Sequence, residues 1–240
     1  MKHAYSRSRC ISLVGCLCFG LLSMLVRADE KSPARWEKSI VEIEQRIASG
    51  KSTPGAVLFV GSSSIRLWKL EESFPDLVTV NHGFGGSFLS DSVHFFDRIV
   101  VPVKPTAIVI YAGDNDIASG KTPETVYDDF QQFVAAVRAK LPECRQIVYI
   151  GIKPSVKRWT LAEKIQLTNS LIKADCDKDP LLEYADVWRP MLTADGAPNA
   201  DLLVDDGLHM NERGYKIWVA AVKSVLKTVP GEVETQSAPK

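Results

Sequence analysis

The sequence predicts an α/β fold of three layers, with helices on both faces of a mostly parallel sheet of five strands. Short apolar runs that suit buried strands alternate with stretches of helical periodicity from residue 55 onward. This alternation is typical of β-α-β units, because consecutive parallel strands need a helical crossover between them. The 240-residue chain is 45% hydrophobic and has no internal repeat, which favours one domain with a substantial core.

Five segments have the composition of strands. The runs at 107–113 and 146–152 are continuous and rich in β-branched and aromatic residues, which suits strands buried on both faces. Three shorter candidates lie at 56–61, 77–81 and 181–188. In a parallel sheet, ligands bind beyond the carboxyl ends of the strands, so the segments that follow these runs are the places to look for a site.

Helices are predicted before, between and after these strands. An amphipathic helix is expected within residues 29–54, where apolar residues recur at helical spacing from Trp36 to Ile47. Another begins after Thr122, a candidate N-cap that precedes Pro123 in the first turn. The remaining predicted helices occupy 89–101, 161–176 and 211–229.

Residues 1–28 have the pattern of a signal peptide. Basic residues and no acid precede an uncharged, largely apolar run from Cys10 to Val26, and the segment ends at Ala28. We therefore expect cleavage after Ala28, a secreted or periplasmic mature chain, and no stable membrane insertion after cleavage. An uncleaved N-terminal membrane anchor is the alternative, because an apolar run of 17 residues lies at the lower edge of a spanning length.

Removal of this segment changes the charge and the cysteine content. The chain has 29 basic and 29 acidic residues, and residues 1–28 hold four of the basic ones, which leaves a formal net charge of −4. Nothing in that balance favours a nucleic acid partner. Cys144 and Cys176 remain, and the sequence does not decide whether they pair. The predicted organisation ends with a domain at 55–229 and a polar tail at 230–240.

Serines follow the first predicted strand, where their side chains contribute no hydrophobic burial. Gly61 is followed by three consecutive serines, Ser62 to Ser64. A polar turn explains them when they are considered alone. The alternative is a nucleophile displayed at the edge of the sheet, and a serine hydroxyl needs a base to take its proton before it is reactive.

His209 is the candidate base, with Asp206 three residues before it across a glycine turn. This spacing can place a carboxylate beside the imidazole Nδ1, where it fixes the tautomer and stabilises the imidazolium. The alternative is that Asp206 caps the C-terminal helix and that His209 only packs nearby.

Two further strand ends carry hydrogen-bond donors. The glycines of 81–87, Gly86 among them, allow backbone N–H groups to point outward, and Asn115 in the Gly-Asp-Asn-Asp run at 113–116 offers a side-chain amide. Such donors stabilise a developing oxyanion. A glycine-rich turn and an asparagine that satisfies its own loop are the ordinary explanations. The occurrence of all four features at strand ends of one α/β domain favours a hydrolytic site.

Together these residues resemble the SGNH hydrolases, also called the GDSL esterase/lipase family, over roughly residues 55–227. The resemblance implies a flavodoxin-like α/β/α SGNH hydrolase fold and a serine ester hydrolase that needs no metal or other cofactor. It also implies site residues, which are the catalytic Ser63, Asp206 and His209 and an oxyanion hole formed by the N–H groups of Ser63 and Gly86 and the amide of Asn115.

One position departs from the family pattern. An aspartate usually stands where this chain has Ser62, and because that aspartate is not the acid of the triad, no catalytic group is lost. With three adjacent serines, Ser64 stays open as an alternative nucleophile. Possible substrate-binding residues are His82, Lys153 and Trp159, for which a structural role or a solvated loop is the alternative.

The resemblance leaves a range of ester substrates. Short acyl groups, acetyl groups on glycans above all, are expected, because no long apolar lid segment is visible and because Trp159 and Trp188 suit a sugar. A lysophospholipid or other lipid ester is the enzymatic alternative. A glycan-binding module with a decayed site is the non-enzymatic one, and Ser62 alone favours it.

Overall fold

The computed structural model describes Met1 and residues 32–227. The chain divides into two compact units, Met1–Arg35 and Trp36–Lys240. Of the first, Met1 and residues 32–35 are described, and a 3-10 turn, Pro33–Trp36, begins there. The predicted signal peptide, apart from Met1, and the predicted polar tail lie outside the described residues.

The second unit holds a sheet of five parallel strands. Their bounds are β1 Val57–Gly61, β2 Thr79–Gly83, β3 Ala107–Tyr111, β4 Gln146–Ile150 and β5 Leu182–Ala185. The order across the sheet is β2-β1-β3-β4-β5. Gly61 stands opposite both Gly83 and Tyr111, so the carboxyl ends of the three strands on this side of the sheet lie level.

Helices follow the strands on both faces. Their bounds are α1 Glu37–Ala48, α2 Ser63–Arg66, α3 Leu70–Ser73, α4 Leu89–His94, α5 Phe96–Ile99, α6 Asp114–Ala118, α7 Pro123–Lys140, α8 Ala162–Cys176 and α9 Glu212–Val225. Further 3-10 segments occupy Val101–Val103, Val156–Leu161, Arg189–Met191 and Ala200–Leu202. Thr122 caps α7 as predicted, since its Oγ1 accepts the Thr125 N–H at 3.2 Å.

Alternate strand residues enter two separate cores. Leu58 and Val60 of β1 face one core, to which α1, α4, α5, α7 and α8 contribute. Phe59 faces the other, which α2, α3 and α9 complete. Since neighbouring side chains of a strand point to opposite faces, burial on both faces requires the three layers that the sequence predicts.

Two of the differences from the prediction have an identifiable physical cause. The helix expected at 89–101 is divided at Phe95 into α4 and α5, which lets Phe95 pack near Phe84 while Phe96 packs against Phe133. The strand expected at 181–188 ends at Ala185, because the Asp186 side chain accepts the Trp188 N–H at 2.9 Å and turns the chain.

The structure answers one question that the sequence leaves open, which is whether Cys144 and Cys176 pair. Cys144 and Cys176 are buried, and both are free thiols. Within residues 32–227, no helix has both the length and the apolar character needed to cross a bilayer.

Candidate active site

The end of β1 brings the chain against β3 and then turns it into α2. Gly61 has a φ of +131°, and a Cβ there would lie 2.0 Å from the Tyr111 carbonyl oxygen, so only glycine fits. The Ser62 N–H donates to that same oxygen at 2.9 Å, and α2 begins at the next residue. Ser63 is half-buried whereas Ser62 and Ser64 are buried, which leaves Ser63 as the accessible serine of the three.

A loop before α9 carries His209 to Ser63. The His209 Nε2 lies 2.9 Å from the Ser63 Oγ, although the two residues are 146 positions apart in the chain. The loop is closed at its base, because Leu203 and Met210 form an isolated antiparallel bridge and the Val204 N–H donates to the His209 carbonyl at 2.9 Å. The fold therefore holds the imidazole at hydrogen-bonding distance from the hydroxyl.

Asp206 holds the imidazole from the opposite side. Its Oδ2 lies 2.5 Å from the His209 Nδ1, and its Oδ1 accepts the N–H groups of Leu208 at 2.8 Å and His209 at 2.9 Å. Partial burial raises the pKa of Asp206, but the bonds from the His209 side chain and the two N–H groups outweigh it and bring this pKa well below its ordinary value. An ionised carboxylate accepts the Nδ1–H, which leaves Nε2 free to accept the Ser63 hydroxyl.

The N-cap of α9 is Asn211. Its Oδ1 accepts the N–H groups of Arg213 at 2.9 Å and Gly214 at 3.2 Å, which are two of the donors that a helix start leaves unpaired. Asp206 lies five positions before the cap, and among residues 32–227 its hydrogen bonds are to Leu208 and His209 of its own loop. The alternative interpretation, in which Asp206 caps the C-terminal helix, is therefore wrong.

Three N–H donors lie on segments that follow β1, β2 and β3. The Ser63 N–H stands at the start of α2 and the Gly86 N–H in the loop after β2, and neither has an acceptor among residues 32–227. Gly86 has a φ of +79°, and a Cβ there would meet the Trp36 ring at 3.0 Å. The Asn115 Nδ2 donates to the Ser87 carbonyl at 3.0 Å, which uses one of its two N–H bonds.

Two of the three possible substrate-binding residues point into the protein. His82 is fully buried, with Nδ1 2.7 Å from the Ile99 carbonyl oxygen and Nε2 2.9 Å from the Ser52 Oγ. The Lys153 side chain is also fully buried, and its Nζ lies 3.8 Å from the Asp114 carboxylate. Because a substrate at the edge of the sheet reaches neither side chain, this burial corrects the expectation that His82 and Lys153 bind substrate.

Trp159, the third of these residues, remains exposed. Its ring stacks on Trp188 with centroids 6.0 Å apart and planes inclined by 23°. The same 3-10 segment is tied to the loop of the imidazole, since the Lys157 N–H donates to the Gly207 carbonyl at 3.0 Å. An aromatic surface therefore lies on a segment that borders the site.

Arg158 has a position that sequence reasoning missed. The sequence leaves the loop 152–159 open between a positively charged wall of the substrate site and a solvated loop. Instead, the Arg158 Nη2 donates to the Asn115 Oδ1 at 2.9 Å and its Nη1 pairs with Asp114. No local pattern signals a partner 43 positions away. The oxyanion candidate Asn115 thus has its own partner, which only the fold brings to it.

A hydroxyl, an imidazole and a carboxylate hydrogen-bonded in series can transfer the hydroxyl proton to the imidazole. Unpaired N–H groups on the segments that follow β1 and β2 can hold the charge of an oxyanion. No group of three or more histidine, cysteine or acidic side chains that could hold a metal ion occurs in the described part of the chain. The arrangement can therefore support hydrolysis with a hydroxyl as the nucleophile.

The model of the GDSL-like Lipase/Acylhydrolase family matches residues 61–217, and the chain belongs to this family. The match begins at the glycine that ends β1 and covers the four segments that carry the site. It confirms the resemblance to the SGNH hydrolases that the sequence motifs predict. The protein is a carboxylic ester hydrolase.

Comparison with individual proteins gives a consistent result. The platelet-activating factor acetylhydrolase IB subunit alpha1 of Pongo abelii is 25% identical over 222 residues, which cover 88% of this chain and 91% of that protein. Among solved structures, a Streptococcus pneumonia protein described as a platelet activating factor is 20% identical and superposes with a TM-score of 0.72 over 84% of this chain and 98% of that one. An acetyl-xylooligosaccharide esterase from Geobacillus Stearmophilus is 14% identical, with a TM-score of 0.58 over 75% of this chain and 98% of that one. At these identities the two structures show the fold alone.

Proposed function

We propose that the protein is an exported serine esterase in which Ser63 is the nucleophile, His209 the general base and Asp206 the residue that orients and stabilises the imidazolium. The observation that carries the proposal is the 2.9 Å distance between the His209 Nε2 and the Ser63 Oγ, at the carboxyl end of the sheet. The short bond from His209 to Asp206 on the far side of the ring supports the role of the carboxylate.

In the first half of the reaction, the Ser63 Oγ attacks the carbonyl carbon of the ester. Its proton passes to the His209 Nε2, and the electron pair of the C=O bond moves onto the oxygen. The N–H groups of Ser63 and Gly86 and the free N–H of the Asn115 amide then hold the oxyanion, and each such donor typically contributes about 3 kcal/mol to lowering the barrier.

In the second half, the tetrahedral intermediate collapses and its bond to the alcohol oxygen breaks. His209 gives its proton to the departing alcohol, which leaves the acyl group on Ser63. A water molecule, deprotonated by His209, attacks the acyl-enzyme, and the carboxylic acid is released as Ser63 takes its proton back.

The preferred acyl group in this proposal is short, and the preferred substrate is an O-acetylated carbohydrate. The names of similar proteins support acetyl transfer to water, since one is an acetylhydrolase and another an acetyl-xylooligosaccharide esterase. The stacked pair of Trp159 and Trp188 supports a carbohydrate, because an exposed aromatic face offers a flat apolar surface to a sugar ring.

A lipid ester is the second candidate, and one cavity favours it. A groove of about 540 Å³ runs between the segment after α2 and the start of α9. It begins at Leu67, one helical turn after Ser63, and at Met210, which follows His209. The Leu67 N–H donates to the Ser63 carbonyl. Its apolar lining would suit an alkyl chain, and the residues of this lining are Leu67, Trp68, Met210, Tyr215 and Val219.

A substrate series separates the two candidates. Rates of release of acetate from acetylated xylooligosaccharides are compared with rates on lysophosphatidylcholine and on 4-nitrophenyl esters of increasing acyl length. The proposal expects kcat/KM to fall as the acyl chain lengthens and the acetylated sugar to be the better natural ester. A rate that rises with chain length and a preference for the lysophospholipid would favour the lipid candidate instead.

A fluorophosphonate probe tests the mechanism independently of the substrate. The expected result is one covalent adduct, located by mass spectrometry on the tryptic peptide at the end of β1 and absent from Ser63→Ala. An unlabelled protein, or an adduct that persists in Ser63→Ala, would contradict the proposed nucleophile. A non-catalytic glycan-binding module would not react.

A further inference from the structure

Arg158 joins the oxyanion candidate Asn115 to the buried carboxylate of Asp114. Its side chain is 15% exposed and turns inward from the 3-10 segment Val156–Leu161. One nitrogen, Nη2, donates to the Asn115 Oδ1 at 2.9 Å, and the other, Nη1, pairs with Asp114. A guanidinium can do both at once because its donors form a rigid planar fork.

The Asp114 carboxylate anchors that fork in the protein. The Asp114 side chain is 8% exposed, accepts a bond from the Tyr111 hydroxyl at 3.3 Å and lies 3.8 Å from the buried Lys153 Nζ. Burial lowers the pKa of Lys153 and the Asp114 carboxylate opposes this shift. Arg158 is therefore held by a charge that is itself fixed in the core, and not by a mobile surface partner.

The hydrogen-bond partners of the Asn115 amide determine which of its two ends faces a substrate. An amide presents an acceptor oxygen and a donor nitrogen that are nearly the same in shape, so its hydrogen-bond partners decide which one faces a substrate. In this structure the oxygen faces the Arg158 guanidinium and the nitrogen donates to the Ser87 carbonyl. With the amide turned over, the oxygen would face the developing oxyanion and repel it.

We propose that Arg158 is a positioning residue that fixes the Asn115 amide with its nitrogen toward the oxyanion. The charged donor also polarises the amide, because a charge-assisted hydrogen bond to the oxygen makes the N–H groups stronger donors. The inference rests on the proposed function, since it gives Arg158 no direct contact with the substrate and lets it act only through Asn115.

A double-mutant cycle on kcat tests this role, with 4-nitrophenyl acetate as substrate. Asn115→Ala is expected to lower kcat by about 10²- to 10³-fold, as removal of an oxyanion donor does. Arg158→Met keeps the aliphatic stem and removes the donors, and it should lower kcat at least tenfold while leaving KM close to wild type. In the Asn115→Ala background, Arg158→Met should have almost no further effect, since residues that act as a unit are not additive.

Two controls complete the experiment. Lys157→Gln removes a neighbouring exposed charge that contacts neither Asp114 nor Asn115, and it should keep the wild-type kcat. Arg158→Lys keeps a charge for Asp114 and replaces Arg158→Met if that variant does not fold, because a single ammonium cannot bridge both partners. Its loss in kcat must likewise disappear in the Asn115→Ala background.

The outcomes separate this inference from the proposed function. If Arg158 variants lose the same factor in both backgrounds, raise KM alone or keep the wild-type kcat, the positioning role is wrong while the proposed function stands. If Ser63→Ala measured in parallel retains activity, the proposed function itself fails. A loss on Arg158 that vanishes without Asn115, with Ser63→Ala inactive, supports both.

Discussion

His82 is buried, no charged side chain among the described residues bonds to it, and both of its ring nitrogens are used. The Ile99 carbonyl accepts from Nδ1, so Nε2 is the acceptor for the Ser52 hydroxyl, and this arrangement requires the neutral ring. Burial lowers its pKa from 6.5 to about 4, against the opposing effect of the Ile99 bond and with a smaller contribution from Arg46. The folded protein therefore excludes a proton that the unfolded chain binds below pH 6.5.

The free energy of unfolding should fall at acid pH, where the unfolded chain binds a proton on His82 and the folded protein does not. The buried neutral ring of His82 stabilises the folded protein fully above about pH 6.5, and this stabilisation is lost progressively between pH 6.5 and about 4. The loss in unfolding free energy amounts to about 2 kcal/mol at pH 5. Urea unfolding of the wild type at pH 7.5 and pH 5 should show this loss, and His82→Gln should show a smaller one. The exposed His94 provides the control, because His94→Gln should keep the wild-type pH dependence. Equal losses in the wild type and in His82→Gln would contradict the assignment.

The same residue shows what motif reasoning could and could not predict. The types and spacing of Ser63, His209 and Asp206 predict which side chains meet, because a hydroxyl, an imidazole and a carboxylate have one chemical use together. The direction of His82 depends on partners 30 and 17 positions away, Ser52 and Ile99, which no local pattern reveals.

At the scale of elements, the turn from β1 into α2 decides where the site forms. Gly61 combines a φ of +131° with a Cβ position only 2.0 Å from the Tyr111 carbonyl oxygen. The turn therefore depends both on backbone conformation and on close contact with the neighbouring strand. Any side chain at Gly61 would push β1 away from β3 and move Ser63 with it.

Gly61→Ala is expected to cost more than about 4 kcal/mol of unfolding free energy, or to prevent folding, because backbone atoms cannot move aside. Gly55→Ala is the matched control, since Gly55 has a φ of +80° but nothing within 4 Å of its Cβ position. That control should cost only the strain of the left-handed conformation, about 1–2 kcal/mol. Urea titration of both variants measures the difference, and equal costs would show that the contact with Tyr111 is unimportant.

The sequence predicts a helix or strand best where the signal lies within that element itself. The cap at Thr122 and Pro123 in the first turn of α7 are local signals, and the structure confirms both. The break at Phe95 was not predictable in this way, because it depends on Phe84 and Phe133, which approach from other elements.

At the scale of the whole molecule, the β-α alternation predicts the layers but not the strand order. Any parallel arrangement buries the same apolar runs, and the order β2-β1-β3-β4-β5 follows from which crossovers lie on which face. This order matters for function, because it sets β1 between β2 and β3 and so gathers Ser63, Gly86 and Asn115 at one end of the sheet.

The reactivity and the number of the thiols test the burial of the cysteines and the removal of residues 1–28. Burial raises the pKa of Cys144 to about 11 and that of Cys176 to about 12, so neither should react with Ellman's reagent in the native protein at pH 8. If residues 1–28 are removed as proposed, the denatured protein should release two thiol equivalents, because three of the five cysteines lie in the predicted signal peptide. A count of five would contradict removal of residues 1–28, and a count of zero would mean that Cys144 and Cys176 pair.

The central claim is that the hydroxyl of Ser63, and not that of a neighbouring serine, attacks the ester. The most direct test compares kcat/KM of Ser63→Ala and Ser64→Ala for 4-nitrophenyl acetate, with circular dichroism to confirm that both variants fold. We predict that Ser63→Ala loses about 10⁴-fold or more and that Ser64→Ala stays close to wild type. A folded Ser63→Ala enzyme with wild-type kcat/KM would contradict the account.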